Sequence, residues 1–190
     1  MKKRTFIAAL FGVCLAVVSG ANAQSDIALK GAGGRLSYIS PKDVDGTIGF
    51  GVFADLGTIT PEIGLEAGID YWSKSWDILT ASAKWRDIVL SGRAKYQFEV
   101  SNPKFKPYAG AGLAIHLLKY TFETPRVSVY GVTVGGDIED SSTKIGLDLL
   151  GGTGYEVSEK VDVVGEIMYR IVSDVGQFVI SGGFVYWLGQ

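Results

Sequence analysis

The side chains of this chain that could carry out chemistry are few and scattered. A serine-hydrolase site on a strand needs a histidine paired with a nearby serine, and an acid to orient the histidine. The chain has one histidine, His116, and Leu118 stands at the position of a His-x-Ser serine. A serine on another strand is the alternative partner, but the sequence singles none out. We therefore predict no catalytic residues and interpret His116 as structural.

The pattern of possible metal ligands is equally sparse. Zinc sites take their ligands from several cysteines and histidines, and this chain has one of each, His116 and Cys14. Asp137, Glu139 and Asp140 could bind a divalent cation weakly, but we interpret them as a solvated loop tip. The sequence thus predicts no metal site and no cofactor.

The N-terminus has the organisation of an export signal. Three cations precede an apolar stretch over residues 5–18, which is too short to be a transmembrane helix. Ala21 and Ala23 then provide the small residues of a signal-peptidase site. We predict a signal peptide over residues 1–23 and one mature domain over residues 24–190. An uncleaved membrane anchor is the alternative.

The composition of the mature part narrows the class of protein. The chain has 18 Lys and Arg against 20 Asp and Glu, and three of the cations lie in the signal, so the mature domain is acidic. A nucleic-acid-binding protein would need a basic surface instead. No mature stretch approaches the about 18 consecutive apolar residues of a membrane helix, although 47% of the chain is hydrophobic. An apolar, exported domain of this kind is expected to consist of strands.

Apolar and polar residues alternate along almost the whole mature domain. In residues 84–100 the even positions include Ile88 and Leu90, and the odd positions include Asp87 and Arg93. A period of two is typical of strands with one apolar and one polar face. Eight such runs cover residues 31–40, 46–57, 61–72, 84–98, 106–120, 142–156, 160–172 and 176–188. The sequence predicts an all-β fold, an eight-stranded antiparallel up-and-down transmembrane β-barrel.

The connections between these runs alternate in length. Those after the second, fourth and sixth runs are short, whereas those after the third and fifth cover residues 73–83 and 121–141. Outer-membrane barrels have short periplasmic turns and longer loops outside the cell. We therefore predict a location in the outer membrane of a Gram-negative cell. Both termini would lie in the periplasm and the two long loops outside.

Alternation alone does not say which face of the barrel points inward. A soluble lipocalin-like carrier would place the apolar face inside, around a ligand. Aromatic residues of the apolar face lie near strand ends, as expected for rings at two membrane interfaces, which favours an apolar face turned towards lipid. These residues are Tyr38, Tyr71, Tyr96, Phe98, Tyr155, Tyr169, Phe184 and Tyr186.

Charged residues of the polar face would then lie in the lumen, which eight strands leave just wide enough for side chains. Such charges must be paired, because an isolated buried charge is very costly. Hairpin registers place Glu66 opposite Arg93 or Ser91, Glu62 near Lys95, and Asp148 near Arg170. We predict a structural ionic network in the lumen made of Arg35, Glu66, Arg93, Asp148, Glu166 and Arg170.

Two segments carry a resemblance to a known family. Residues 106–114, KPYAGAGLA, resemble the P-Y-x-G-x-G segment that opens a mid-barrel strand in small outer-membrane barrels of the OmpX, OmpA-transmembrane and OmpW type. Residues 183–188, GFVYWL, are similar to the aromatic-rich final strand of these proteins. The chain departs from them in ending on Leu188-Gly189-Gln190, where an aromatic residue is common. The resemblance covers essentially the whole mature domain.

This resemblance implies outer-membrane lipid, lipopolysaccharide and the outer-membrane assembly machinery as partners, and a monomer. We expect a structural or surface-interaction role carried by the outer loops, without enzymatic activity, because paired charges plug a small lumen. A narrow OmpW-like channel for small or hydrophobic solutes is the alternative. Glycines of the polar face, including Gly49, Gly51 and Gly68, favour it because they leave space. A soluble periplasmic carrier is the third hypothesis.

Overall fold

The computed structural model of the chain describes residues 26–42, 45–78, 81–124, 127–129, 132–134, 136–173 and 176–189. The predicted signal peptide, residues 1–23, lies outside the described residues. The strands are β1 (Asp26–Pro41), β2 (Thr47–Thr60), β3 (Ile63–Ile78), β4 (Ala81–Gln97), β5 (Phe105–Glu123), β6 (Val127–Val129), β7 (Val132–Val134), β8 (Asp137–Ser158), β9 (Val161–Val172) and β10 (Gln177–Trp187). In the described part of the chain, no helix is long and apolar enough to cross a membrane.

Eight of the strands form one closed antiparallel ring, in the order β1-β10-β9-β8-β5-β4-β3-β2. The two short strands β6 and β7 pair with each other, between β5 and β8 along the chain. The ring closes where β1 pairs with β10, from Gly31 opposite Trp187 to Pro41 opposite Gln177. Closure leaves no strand edge unpaired within the ring, which is what a lipid environment requires. The predicted eight-stranded up-and-down barrel is confirmed.

Each barrel strand alternates between two environments. Large apolar side chains point outward, with exposed fractions of 65% for Leu113 and 66% for Leu36. The residues between them point into the lumen, where charged side chains such as Asp148 and Arg170 are almost completely covered. Turning so much apolar surface to water would be costly, whereas a bilayer accepts it. The soluble-carrier hypothesis is therefore wrong, because the apolar face lies outside.

Aromatic rings lie at both ends of this outward apolar face. Tyr71 contacts Phe50 near one end, with ring centroids 5.4 Å apart. Tyr96 and Phe98 form a second pair near the other end, with centroids 5.2 Å apart. Rings in these positions form the girdles that anchor a membrane barrel at its two interfaces.

Two of the connections differ from the sequence prediction of loops over residues 73–83 and 121–141. The first is largely strand, because β3 continues to Ile78 and β4 begins at Ala81. The second is shortened in the same way by the extension of β5 and β8 beyond the predicted ends. Hydrophobic alternation marks a strand only where one of its faces meets an apolar phase. Beyond the ring, the outward face of these extensions carries polar residues such as Arg86 and Lys119 in place of apolar ones, so the sequence pattern there is lost.

These extensions form a continuous four-stranded sheet that rises from one end of the ring. Pairing of β3 with β2 ends at Trp72, and pairing of β8 with β9 ends at Gly146. Beyond those residues, β3 and β8 are the edges of the sheet within the described part of the chain. We call it the projecting sheet, and it consists of residues 73–78 of β3, 81–86 of β4, 119–123 of β5 and 137–145 of β8.

Candidate functional site

Eight charged side chains of the lumen form one cluster across five strands. Their alternation with lipid-facing residues directs them inward, and the stagger of the strands brings them to a similar height. The cluster contains four cations and four carboxylates, joined by ion pairs. We call it the lumen network, and its members are Arg35, Glu66, Asp70, Arg93, Lys95, Asp148, Glu166 and Arg170.

Asp70 is the most heavily bonded carboxylate of the lumen network. Arg35 donates from Nε to Oδ1 at 2.7 Å and from Nη2 to Oδ2 at 3.1 Å, which is a bidentate pair. Arg93 donates from Nη2 at 3.4 Å, and Arg170 donates from Nη2 to the same Oδ2 atom. Three guanidinium groups from three strands thus converge on one carboxylate that is only 5% exposed. This geometry links β1, β4 and β9 through β3.

Glu66 lies next to Asp70 on the inner face of β3 and shares two of its arginines. Its Oε1 accepts from Nη1 of Arg35 at 3.1 Å and from Nη1 of Arg93 at 3.0 Å. Its Oε2 accepts from the ammonium group of Lys95. The guanidinium groups of Arg35 and Arg93 therefore each bridge Glu66 and Asp70, which satisfies several of their donors at once.

Two further carboxylates complete the lumen network. Asp148 accepts from Nε of Arg93 at 3.2 Å. Glu166 accepts from the hydroxyl of Tyr108 at 2.9 Å and lies 3.1 Å from the ammonium of Lys95. The balance of four positive and four negative charges is the condition under which such a buried cluster is tolerated, since each ion has lost its hydration.

The structure places all six residues of the predicted network in the lumen and brings them together. Glu66 lies opposite Arg93, and Asp148 lies opposite Arg170, in neighbouring strands. The predicted proximity of Glu62 and Lys95 is wrong, because Gly64 is the residue opposite Lys95. Glu62 lies in the β2–β3 turn, where it accepts a hydrogen bond from Thr60.

Sequence reasoning missed Asp70 and Lys95 as members of the lumen network, and Tyr108 as their neighbour. Asp70 stands two positions from Trp72 and four from Glu66, on the same face of β3, so the alternation itself contains the signal. What the alternation does not give is the height at which each strand's charges meet. That height depends on the register of the whole ring, which no single hairpin determines.

A second polar cluster lies in the lumen towards the projecting sheet. Nδ1 of His116 and Oδ2 of Asp87 are 2.8 Å apart, and Gln177 donates to the same oxygen at 3.2 Å. All three residues are fully covered. Nε2 of His116 has no hydrogen-bond partner among the described residues and faces Gly146 in the barrel wall. A histidine–carboxylate pair is thus present, but it is sealed from any approaching molecule.

Apolar side chains fill the lumen around these polar clusters. Trp72, Ile39 and Met168 are almost completely covered and pack in one cluster. A small cavity beside Arg35 and Glu66 has a volume of about 10 Å³, which is about enough for one water molecule. The described part of the lumen is therefore largely filled by side chains.

The glycines of the inner wall make room for this packing. A Cβ atom added at Gly51 would lie 2.1 Å from Oδ1 of Asp70, and one at Gly152 would lie 2.7 Å from the hydroxyl of Tyr108. In the sequence, such glycines favour an open channel. The space next to these two is instead occupied by side chains of the lumen network and its neighbour.

Substitution of Gly51 by Ala should therefore lower the free energy of unfolding by about 1–3 kcal/mol, the usual cost of overpacking. Gly165 is a matched control, because it faces outward and its added Cβ would meet no atom within 4 Å. Urea titration of the refolded barrel in phospholipid vesicles measures both variants. Equal urea midpoints for Gly51→Ala and Gly165→Ala would contradict this prediction. They would show that the barrel wall at Gly51 accommodates the added methyl group without loss of stability.

Among the side chains that the structure describes, no group of three or more His, Cys, Asp and Glu residues is placed to hold a metal ion. The charged cluster is occupied by its own counter-ions instead. The site that the residues build is a buried, charge-balanced cluster inside a closed ring of strands.

A closed ring of eight antiparallel strands with an apolar exterior and a charged, packed interior defines a small integral outer-membrane barrel. The chain belongs to the outer membrane protein beta-barrel domain family, whose model matches residues 6–186. This membership places the protein in the outer membrane. A search of curated protein sequences gives no match.

Solved structures of outer-membrane barrels share this fold at low sequence identity. Neisserial surface protein A is 21% identical with a TM-score of 0.56, over 82% of this chain and 94% of that one. The N-terminal barrel of Pseudomonas aeruginosa OprF is 12% identical with a TM-score of 0.56, over 84% and 98%. Ail of Yersinia pestis, solved with the heparin analogue sucrose octasulfate, is 12% identical with a TM-score of 0.54, over 83% and 95%.

Proposed function

We propose that this protein is a non-conducting outer-membrane barrel that presents the projecting sheet at the cell surface, for contact with macromolecules there. The observation that carries the proposal is the filled lumen, where charged and apolar side chains pack across the ring and the cavity beside Arg35 and Glu66 measures about 10 Å³. A barrel filled in this way has no route for a solute. Its function is then carried by the parts that lie outside the membrane.

The orientation of the barrel follows from its two unequal ends. The turns β2–β3 and β8–β9 are short, whereas the projecting sheet extends from the opposite end. In outer-membrane barrels the long hairpins face the outside. We therefore place the projecting sheet outside the cell and both ends of the ring-forming chain, β1 and β10, towards the periplasm.

The edges of the projecting sheet are the features suited to contact with a partner. Among the described strands, none pairs with the outer side of residues 73–78 of β3 or of residues 137–145 of β8. An exposed edge offers a row of backbone donors and acceptors to which an extended polypeptide can add as a further strand. The rigid barrel beneath them holds both edges at a fixed distance from the membrane.

The alternative functions have less support. A narrow channel would need a continuous opening, and the lumen network crosses the ring from β1 to β4 and β9. An enzyme would need reactive groups that a substrate can reach, and the His116–Asp87 pair is fully covered. We propose a role without catalysis on this basis.

Shortening the two long hairpins to the rim of the ring should abolish contact with surfaces while the barrel still forms. The variant removes residues 75–82 and 121–140 and replaces each segment with a two-residue turn. Cells of a non-adherent strain that produce the full chain should be retained on wells coated with an unfolded polypeptide, or should clump together. Cells that produce the variant should do neither, and a heat-modifiable gel shift verifies that it folds.

The same two proteins test whether the lumen is closed to ions. Neither should show steady conductance in planar bilayers, because the lumen network is intact in both. A steady conductance of the full chain would support the channel instead. Retention and clumping that do not depend on the hairpins would show that the surface-contact role is wrong.

A further inference from the structure

The outer face of the projecting sheet carries a row of hydrogen-bond donors just beyond the barrel ring. Ser73 lies opposite Arg86, Arg86 lies opposite Lys119, and Lys119 lies opposite Ser141. The row thus runs across β3, β4, β5 and β8 in one register. Lys84 stands on the same face of β4, two positions further from the ring. We call Ser73, Arg86, Lys119, Ser141 and Lys84 the basic row.

Two cations directly opposite each other destabilise a sheet unless something neutralises them. Arg86 has no ion-pair partner among the described side chains, and its Nε atom is covered without a hydrogen-bond acceptor. Lys119 lies 2.9 Å from Glu139, but both of these side chains are well exposed, so that pair is weak. Glu139 also lies on this face, at the height of Lys84, so the three cations of the basic row meet one carboxylate and keep an excess of positive charge.

The basic row begins where the lipid-facing surface ends. Ile88 and Leu117 are the outward apolar residues next to Arg86 and Lys119, two positions closer to the middle of the ring. Two residues of a strand span about 7 Å, so the cations lie one step beyond the hydrocarbon boundary. Further out, the same face carries the acidic residues Glu123 and Asp137, opposite each other. The positive charge is therefore confined to the height of lipid headgroups.

A phosphate group is the ligand that this arrangement fits. A guanidinium offers paired donors to phosphate oxygens, an ammonium adds charge, and serine hydroxyls complete the set. The basic row continues the lipid-facing side of its strands, so it faces the surrounding leaflet. We propose that the basic row binds a phosphate group of lipopolysaccharide in the outer leaflet. This inference rests on the proposed function, because it requires that the projecting sheet lie outside the cell.

Removal of the three charges should weaken binding of lipopolysaccharide by about 100-fold, since each basic residue at an anionic lipid surface contributes about fivefold. The test variant is Lys84→Gln/Arg86→Gln/Lys119→Gln. The matched control is Lys30→Gln/Lys104→Gln/Lys160→Gln, which removes three cations at the opposite end of the ring. Anisotropy of fluorescently labelled lipopolysaccharide in zwitterionic detergent micelles gives the affinity. A heat-modifiable gel shift shows that each variant folds, and Arg86→Lys should retain most of the binding.

Two further probes identify the ligand group. Lipid A from which the phosphates have been removed should bind the full chain as weakly as phosphorylated lipid A binds the test variant. Competition by soluble heparin that equals competition by unlabelled lipopolysaccharide would overturn the proposal in favour of a sulfated polysaccharide. An unchanged affinity of the test variant would overturn it outright.

An epitope tag distinguishes failure of this inference from failure of the proposed function. The tag is inserted between β6 and β7 in one protein, and in the turn after β4, at Ser101, in another. Antibody labelling of intact cells at the first position alone, together with unchanged binding by the test variant, would refute only the basic row. Labelling at Ser101 alone would refute the orientation on which both depend.

Discussion

Substitution of Asp70 by Asn should lower the free energy of unfolding by about 3–5 kcal/mol, the range for breaking a buried ion pair from one side. Asn keeps the volume of Asp but leaves Arg35, Arg93 and Arg170 with one negative charge too few. All three guanidinium groups donate to Asp70 in the native barrel. Urea titration of tryptophan fluorescence in phospholipid vesicles measures the change.

Two companion variants show that charge is the cause. Asp26→Asn removes a carboxylate that pairs with Lys30 while 70% exposed, and it should cost less than about 1 kcal/mol. The double variant Asp70→Asn/Arg170→Gln removes one charge of each sign and should be more stable than Asp70→Asn alone. A double variant that is less stable would mean that the lumen network acts through shape rather than charge balance.

Substitution of Leu113 by Arg should destabilise the protein by about 2–4 kcal/mol, as expected for an arginine on the lipid face near the middle of the bilayer. Leu113 is 65% exposed on the isolated barrel, so in a water-soluble protein the change would have little effect. Its position between Gly92 and Leu147 on the neighbouring strands places it near the middle of the ring.

Ile138 is the matched control for this prediction. It is 66% exposed, almost the same as Leu113, but it lies in the projecting sheet, opposite Phe122. Ile138→Arg should change stability by less than about 0.5 kcal/mol, as is usual for surface substitutions in water. Equal losses at the two positions would show that the outward face of the ring is not in lipid.

The fold was predictable because a bilayer imposes one rule on every residue that crosses it. Apolar side chains must point out and polar ones must point in, so a period of two marks each strand and its two faces. Leu90 and Arg93 show this rule within one strand, and Glu66 pairs with Arg93 as the β3–β4 hairpin predicts. The rule ends at the membrane surface, which is why the sequence predicts loops where the strands of the projecting sheet lie.

The lumen was harder to predict than the wall. Asp70 and Lys95 lie on the faces that the alternation assigns to the interior, but the sequence does not show which charges from distant strands meet. Arg170 and Asp70 are one hundred residues apart in the chain and on strands that are not neighbours. Their contact depends on the stagger of the closed ring. The contact of His116 with Asp87 depends on it in the same way.

The pairing of β1 with β10 has a consequence for how the protein reaches its membrane. Until β1 and β10 pair, each of them carries a row of backbone N–H and C=O groups without hydrogen-bond partners, and the hydrocarbon of the bilayer provides no partners for them. An incomplete ring therefore has no stable position within the bilayer. Insertion and closure must be one cooperative event, in which the two strands furthest apart along the barrel sequence meet as the apolar exterior enters lipid.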